Sequence, residues 1–98
     1  LRAILELAAD FRRRNVPIDG LGLQFHINVN TSEAGMTEAL RQSAATGLLV
    51  HVSELDVSIN TAKATNFQPT PDLLNRQKLK FQFVMKTYRD SVPKAQQH

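Results

Sequence analysis

Several residue types are absent or scarce in this 98-residue sequence, and each absence excludes a class of protein. There is no cysteine, which excludes a disulfide framework, a thiolate zinc site and a cysteine nucleophile. There is no tryptophan and only one tyrosine, so aromatic side chains that could stack on nucleic-acid bases are scarce. No apolar run approaches the roughly 18 residues of a membrane-spanning helix, so we expect no membrane partner. The opening residues 1–6 are periodic and carry an acidic residue, unlike a signal peptide.

The remaining composition is that of an ordinary globular chain, with 42% hydrophobic and 21% charged residues. Those values exclude a disordered tail and a coiled-coil rod, and the length corresponds to one domain or a piece of one. Twelve basic and nine acidic residues give a net charge of +3. The basic residues are dispersed, and their single run, Arg12–Arg14, falls at a predicted helix end, where cations favour the dipole. We therefore expect no nucleic-acid partner.

The apolar pattern predicts three helices that alternate with two strands. The helices are predicted over 1–14, over 33–46 with Gly47 following its end, and from a Thr70 cap to about Pro93; the strands are predicted over 21–27 and 48–57. The order α-β-α-β-α predicts parallel strands joined by right-handed crossovers. About 30 residues per βα unit matches a (β/α)8 barrel of roughly 250 residues, and a doubly wound sheet is the alternative.

Two parallel strands have two open edges and too little area to form a stable sheet alone. We therefore expect the chain to be a piece of a larger α/β protein. Its open sheet edges predict self-association with another copy, or pairing with the rest of a barrel.

Polar side chains gather at the C-terminal ends of both predicted strands, where parallel α/β folds carry their active sites. Side chains alternate along a strand. On the first predicted strand, one face therefore carries Gly22, Gln24 and His26. On the second predicted strand, one face carries Val50, Val52, Glu54 and Asp56. We expect His26 to lie within hydrogen-bond reach of Glu54. His51 has the opposite parity, and we expect it to point toward the helices as a structural residue.

A histidine between two carboxylates could donate one ring N–H to Glu54 and, when protonated, the other to Asp56. That would keep Glu54 ionised and oriented, as a nucleophilic carboxylate requires. Three alternatives remain: a core histidine, a structural ion pair, and a divalent-metal site made of the same three residues. Nucleotide-binding, phosphate-binding and serine-nucleophile motifs are missing, and Asn30–Ser32 is a glycosylation sequon of only three residues.

Two segments resemble the family 10 glycoside hydrolases, which are mainly endo-1,4-β-xylanases with a (β/α)8 barrel. Residues 16–26 (VPIDGLGLQFH) resemble the family's sixth-strand segment, and residues 46–48 (TGL) with 51–57 (HVSELDV) resemble its seventh. The resemblance extends through essentially the whole chain. It implies an α/β fold that is part of a TIM barrel, namely strands six and seven with their flanking helices.

The resemblance also implies a function, retaining hydrolysis of β-1,4-xylan by a larger parent protein. In that reading Glu54 is the nucleophile, His26 hydrogen-bonds it, Asp56 braces the histidine and Gln24 lines the sugar site. No cofactor and no metal are implied, and the parent is expected to be secreted, periplasmic or on the cell surface.

One component of the family's active site has no counterpart in the sequence. The family's acid/base glutamate follows an asparagine on the fourth strand, and none of the four glutamates here follows one. Retaining glycosidases need two carboxyl groups about 5–5.5 Å apart, so we expect the chain alone to be inactive. The competing expectations are a non-catalytic, oligomerising or remnant segment, and a piece of a metal-dependent barrel hydrolase.

Overall fold

The computed structural model describes residues 1–98 as three helices, four short strands and one turn of 3-10 helix. In chain order they are α1 (Arg2–Arg13), β1 (Gly20–Leu23), β2 (His26–Asn28), α2 (Glu33–Ala45), β3 (Leu49–Val52), β4 (Asp56–Ser58), α3 (Pro71–Ser91) and the 3-10 turn (Lys94–Gln96). The three predicted helices are confirmed to within one or two residues. Each predicted strand, in contrast, is divided into two.

Local sequence signals account for the helix boundaries. The Thr70 hydroxyl accepts a hydrogen bond from the Leu73 backbone N–H at 3.2 Å, and Pro71 occupies the first turn. These are the expected cap and starting residues of α3. Gly47 follows the end of α2 with φ +77°, the left-handed conformation that glycine adopts most easily.

The strands form two parallel pairs that follow one another along the chain. β1 pairs with β3, so that Leu23 lies opposite Val52, and β2 pairs with β4, so that His26 lies opposite Asp56. One more residue separates Val52 from Asp56 than separates Leu23 from His26. The second chain segment therefore contains one extra residue, which is a β-bulge.

Backbone hydrogen bonds continue across this interruption. The Ser53 N–H donates to the Leu23 carbonyl at 3.0 Å, and the Asp56 N–H donates to the Phe25 carbonyl at 3.3 Å. Phe25 adopts φ +55°, which is uncommon for a bulky residue and turns its backbone out of the regular strand. Both predicted strands are thus interrupted at adjacent positions, between β1 and β2 and between β3 and β4. Parallel pairing then resumes in β2 and β4.

All three helices lie on one face of the paired strands. Leu21 packs with Ala8 of α1, while Leu23 packs with Leu40 of α2 and with Val92, which follows α3. Leu21 and Leu23 are two residues apart and point the same way, so these helices cover the same face. Helices on one face only are typical of a barrel, whereas a doubly wound sheet carries them on both.

Because of the bulge, the side chains of the second predicted strand do not all lie on the face predicted from the sequence. Val50 is fully buried against the helix layer, and Val52 packs on the same core cluster, whereas Glu54 and Asp56 are exposed. The prediction that these four residues share a face is therefore wrong, because the extra residue reverses the alternation. The expected orientation of His51 toward the helices is wrong for the same reason: Val50 already faces them, and His51 is exposed.

A third parallel segment begins at the free edge of β3, where Gln97 pairs with Val50. The Tyr88 hydroxyl donates to the Val50 carbonyl at 2.6 Å and accepts from the His98 N–H at 2.9 Å. One side chain of α3 thereby joins β3 to the segment beside it. None of the helices is long and apolar enough to cross a membrane.

Leu40→Ala should lower the free energy of unfolding by about 2–5 kcal/mol, because it leaves a cavity between α2 and the strands. Leu40 is fully buried, whereas Leu7 is half exposed, so Leu7→Ala serves as the control and should change stability by roughly 0.5 kcal/mol. Urea denaturation measures both. Equal losses for the two variants would contradict the described core.

Candidate active site

The parallel pairing of β2 with β4 positions the polar side chains singled out in the sequence. His26 and Asp56 are the first residues of these strands and lie directly opposite one another. Glu54 lies in the bulge that precedes β4. All three side chains are on the open face of the strands, away from the helices, and are between 51% and 60% exposed.

The His26 ring lies between the two carboxylates and uses both of its nitrogens. Nδ1 is 2.5 Å from Oδ2 of Asp56, and Nε2 is 3.3 Å from Oε2 of Glu54. The predicted proximity of His26 and Glu54 is therefore confirmed. A doubly protonated ring can donate to both carboxylates at once, so this geometry fits an imidazolium.

The two carboxylates raise the pKa of His26 above its ordinary value of 6.5. The hydrogen bond from the ring to Asp56 is the largest cause. Partial desolvation acts in the opposite direction, while the charge of Asp56 and the weaker hydrogen bond and charge of Glu54 add to the increase. Asp56 thus has the stronger hold on the ring, while Nε2 lies 3.3 Å from the Glu54 carboxylate.

Gln24, the fourth residue singled out, is not part of this hydrogen-bonded group. It is exposed and lines a cavity at the open edge of β1 with Leu1, Ile4 and Phe25. The structure therefore brings three of the four predicted site residues together and leaves Gln24 beside them.

The metal-binding alternative receives no support from the geometry. No group of three or more histidine, cysteine or acidic side chains is arranged to hold an ion. The two His26 nitrogens face separate carboxylates, so His26, Glu54 and Asp56 bond to each other and do not converge on a common point. A divalent cation would need their donor atoms directed at one centre.

The next register pair, Asn28 opposite Ser58, was not among the residues singled out from the sequence. These residues follow His26 and Asp56 by two positions in regular strands, so they share the same face. Alternation continued to the end of each strand would have found them.

Comparison with known proteins identifies the family. A protein-family model described as glycosyl hydrolase family 10 matches residues 1–97. The chain belongs to glycosyl hydrolase family 10. The family resemblance noted in the sequence is thereby confirmed over nearly the whole chain.

Two of the matched relatives are endo-xylanases. An endo-β-1,4-xylanase of Cellvibrio japonicus is 34% identical over 97 residues, which are 92% of this chain and 16% of that protein. An endo-1,4-β-xylanase of Caldicellulosiruptor saccharolyticus is 28% identical over 95 residues, covering 92% of this chain and 28% of its own length. This family 10 chain thus spans less than a third of the length of each of these relatives.

Solved structures of xylanases share the fold of this chain. The native xylanase 10C of Cellvibrio japonicus superimposes with a TM-score of 0.89 at 34% identity, covering 98% of this chain and 21% of that one. A mutant of the same xylanase in complex with xylopentaose gives 0.87 at 32% identity, covering 98% and 20%. A xylanase of Thermobacillus composti gives 0.84 at 31% identity, covering 93% and 32%.

NMR titration of the histidine ring protons should show His26 titrating above 6.5, because its imidazolium donates to Asp56 and Glu54. In Asp56→Asn the pKa of His26 should fall toward 6.5, since the largest cause of the increase is lost. Asp90→Asn on α3 is the control and should leave it unchanged. A His26 that titrates at or below 6.5 in the unmodified protein would contradict the geometry.

The same pKa increase links stability to pH. A pKa that folding raises contributes stability that is fully present below about pH 6.5 and is lost as the pH rises through the folded-state pKa. Because these side chains are about half exposed, added salt should weaken the contribution.

Proposed function

We propose that this chain is the part of a family 10 catalytic barrel that contains strands six and seven with their flanking helices. The parent protein would then hydrolyse β-1,4-xylan with retention of configuration. The observation that carries the proposal is the His26 ring held between Glu54 and Asp56 at 3.3 and 2.5 Å. The names of the two relatives described above, both endo-1,4-β-xylanases, supply the substrate class.

Glu54 is the nucleophile in this proposal. Its carboxylate lies on the open face of the strands, where a sugar can approach, and His26 Nε2 faces its Oε2. One carboxylate oxygen attacks the anomeric carbon and forms a glycosyl ester, while the bond to the leaving-group oxygen breaks. A hydrogen bond to the other carboxylate oxygen orients the attacking one. Water then hydrolyses the ester and regenerates Glu54.

His26 and Asp56 are positioning residues for this step. Asp56 fixes the ring through Nδ1 and favours its protonated form, so that Nε2 carries a proton to donate to Glu54. A hydrogen bond donated to a carboxylate stabilises its ionised form, which is the form that attacks. Gln24, exposed at the edge of β1, lines the sugar site in this proposal.

The acid/base carboxyl group must come from other strands of the parent. The leaving oxygen needs a proton from a second carboxyl group on the opposite side of the scissile bond. The remaining glutamates are all on helices: Glu6 pairs with Arg2, Glu33 with Lys80, and Glu38 bonds Gln42. We therefore infer that the 98-residue chain alone releases no reducing sugar from xylan.

Three features support the partial barrel. The helices cover one face of the strands, a third parallel segment starts beside β3, and only 13 of 98 residues are buried. Large hydrophobic residues on α3, on α1 and just before α1 remain 41–67% exposed, namely Leu1, Ile4, Leu7, Leu74, Leu79 and Met85. In a barrel, neighbouring elements would cover such surfaces.

The same open edges and exposed apolar residues favour self-association as the competing, non-catalytic role. The sequences on either side of this chain in its gene discriminate the two. An upstream strand with Asn-Glu and a downstream strand with Trp-Gly support the enzyme, and their absence contradicts it. A parent that degrades the polymer would work outside the cytoplasm, as a secreted, periplasmic or surface protein.

Glu54→Ala in the full-length protein should lower the rate of xylan hydrolysis by several orders of magnitude, because no covalent intermediate can form. Azide should restore part of the rate by attacking in place of the carboxylate, and should give the glycosyl azide of opposite anomeric configuration. Glu38→Ala, on the exposed side of α2, is the control. NMR of the product identifies the anomer. A Glu54→Ala enzyme that keeps its rate without azide would exclude Glu54 as nucleophile.

A further inference from the structure

Asn28 and Ser58 form a second polar pair beside the proposed nucleophile. They lie opposite one another in the β2–β4 register, two residues beyond His26 and Asp56. At a rise of about 3.3 Å per residue, this places them roughly 6.6 Å further toward the C-terminal ends of the strands. Val57, between Asp56 and Ser58, is buried under α3, so the pair lies on the open face.

The Asn28 side-chain oxygen has a hydrogen-bond partner in the protein, whereas the side-chain nitrogen has none. Its Oδ1 accepts a hydrogen bond from the Asn30 N–H at 2.8 Å, which fixes the orientation of the side chain. Its Nδ2 has no protein acceptor, and since no buried side-chain polar atom in the structure lacks a partner, this nitrogen reaches solvent. The Ser58 hydroxyl is exposed and likewise has no partner. The pair therefore presents one amide donor and one hydroxyl to whatever occupies the face.

The turn that holds Asn28 is clamped from α3. The Asn28 N–H donates to the Thr31 hydroxyl at 3.0 Å, Arg76 donates to Asn30 Oδ1 at 2.7 Å, and Lys80 donates to the Thr31 carbonyl at 3.0 Å. Lys80 is almost completely buried to make this contact. A donor held in place before binding loses less conformational entropy when a ligand arrives.

We propose that Asn28 and Ser58 are substrate-binding residues that hydrogen-bond sugar hydroxyls next to the site of attack. The ligand class is a β-1,4-linked pyranose chain, whose hydroxyl groups can accept from Nδ2 and exchange hydrogen bonds with the Ser58 hydroxyl. The proposal rests on the proposed function, because it takes Glu54 as the point of attack. Asn28 and Ser58 would add substrate contacts on the same two strands, β2 and β4, beyond those made at Glu54.

Binding of xylopentaose to the full-length protein tests the proposal. The Glu54→Ala background prevents turnover, so calorimetry can measure the dissociation constant. Asn28→Ser removes the amide donor but keeps an oxygen that can accept from Asn30, as serine does in such turns. We expect the dissociation constant to rise about fivefold for Asn28→Ser and about threefold for Ser58→Ala, the usual effect of one neutral hydrogen bond.

Asn75→Ser is the matched control, because it removes an exposed amide of α3 outside this face and should leave binding unchanged. An unchanged dissociation constant in both Asn28→Ser and Ser58→Ala overturns the inference while leaving the proposed function intact. If the Glu54→Ala protein itself fails to bind xylopentaose, the proposed function fails, and this inference with it. Should Asn28→Ser lower the melting temperature, Ser58→Ala, which lies outside the turn, decides the case.

Discussion

The parallel pairing of β2 with β4 is the constraint on which the site depends. It sets His26 directly opposite Asp56, and the bulge before β4 turns Glu54 onto the same face. A register shift of one residue would move every side chain of a strand to the other face. Val57 on the helix side opposes such a shift, since it would then be exposed and Asp56 or Ser58 buried in its place. The buried core thus holds the open face in register.

The charges on that face are coupled through one ring. A single imidazolium lies between two carboxylates, so removing either acid changes the protonation of the histidine. The charge of the ring that faces the remaining carboxylate then changes as well. With side chains about half exposed, water screens these interactions. In a closed barrel the remaining strands would exclude part of that water, and the same distances would then give stronger interactions. The geometry is therefore already present in this chain, and enclosure in a barrel would strengthen its electrostatic effect.

Much of this arrangement follows from local sequence, and the rest does not. Caps and breakers such as Thr70 and Gly47 mark the helix boundaries, and the α-β alternation predicts parallel strands. The meeting of His26 with Glu54 and Asp56 was also predictable, because parallel strands bring their C-terminal ends together. The family resemblance, rather than periodicity, was needed to name roles for them.

The bulge was not predictable from residue type. No glycine or proline marks Ser53–Leu55, and a phenylalanine at φ +55° contradicts the usual preference of a bulky residue. Uninterrupted alternation therefore assigned Val50 and Val52 to the wrong face and turned His51 toward the helices. The contact between His26 and Glu54 survived this error, because the bulge lies between Val52 and Asp56 and the pairing resumes beyond it.

Trapping the covalent intermediate tests the central claim, that Glu54 is the nucleophile held by His26, most directly. The full-length protein would be incubated with a 2-fluoro xylobioside that carries a good leaving group, then digested, and its peptides analysed by mass spectrometry. We expect a single fluoroxylobiosyl adduct on the peptide that contains Glu54, with fragmentation placing it on that carboxyl group. An active enzyme that carries the adduct on another residue, or that turns over without any adduct, would contradict the account.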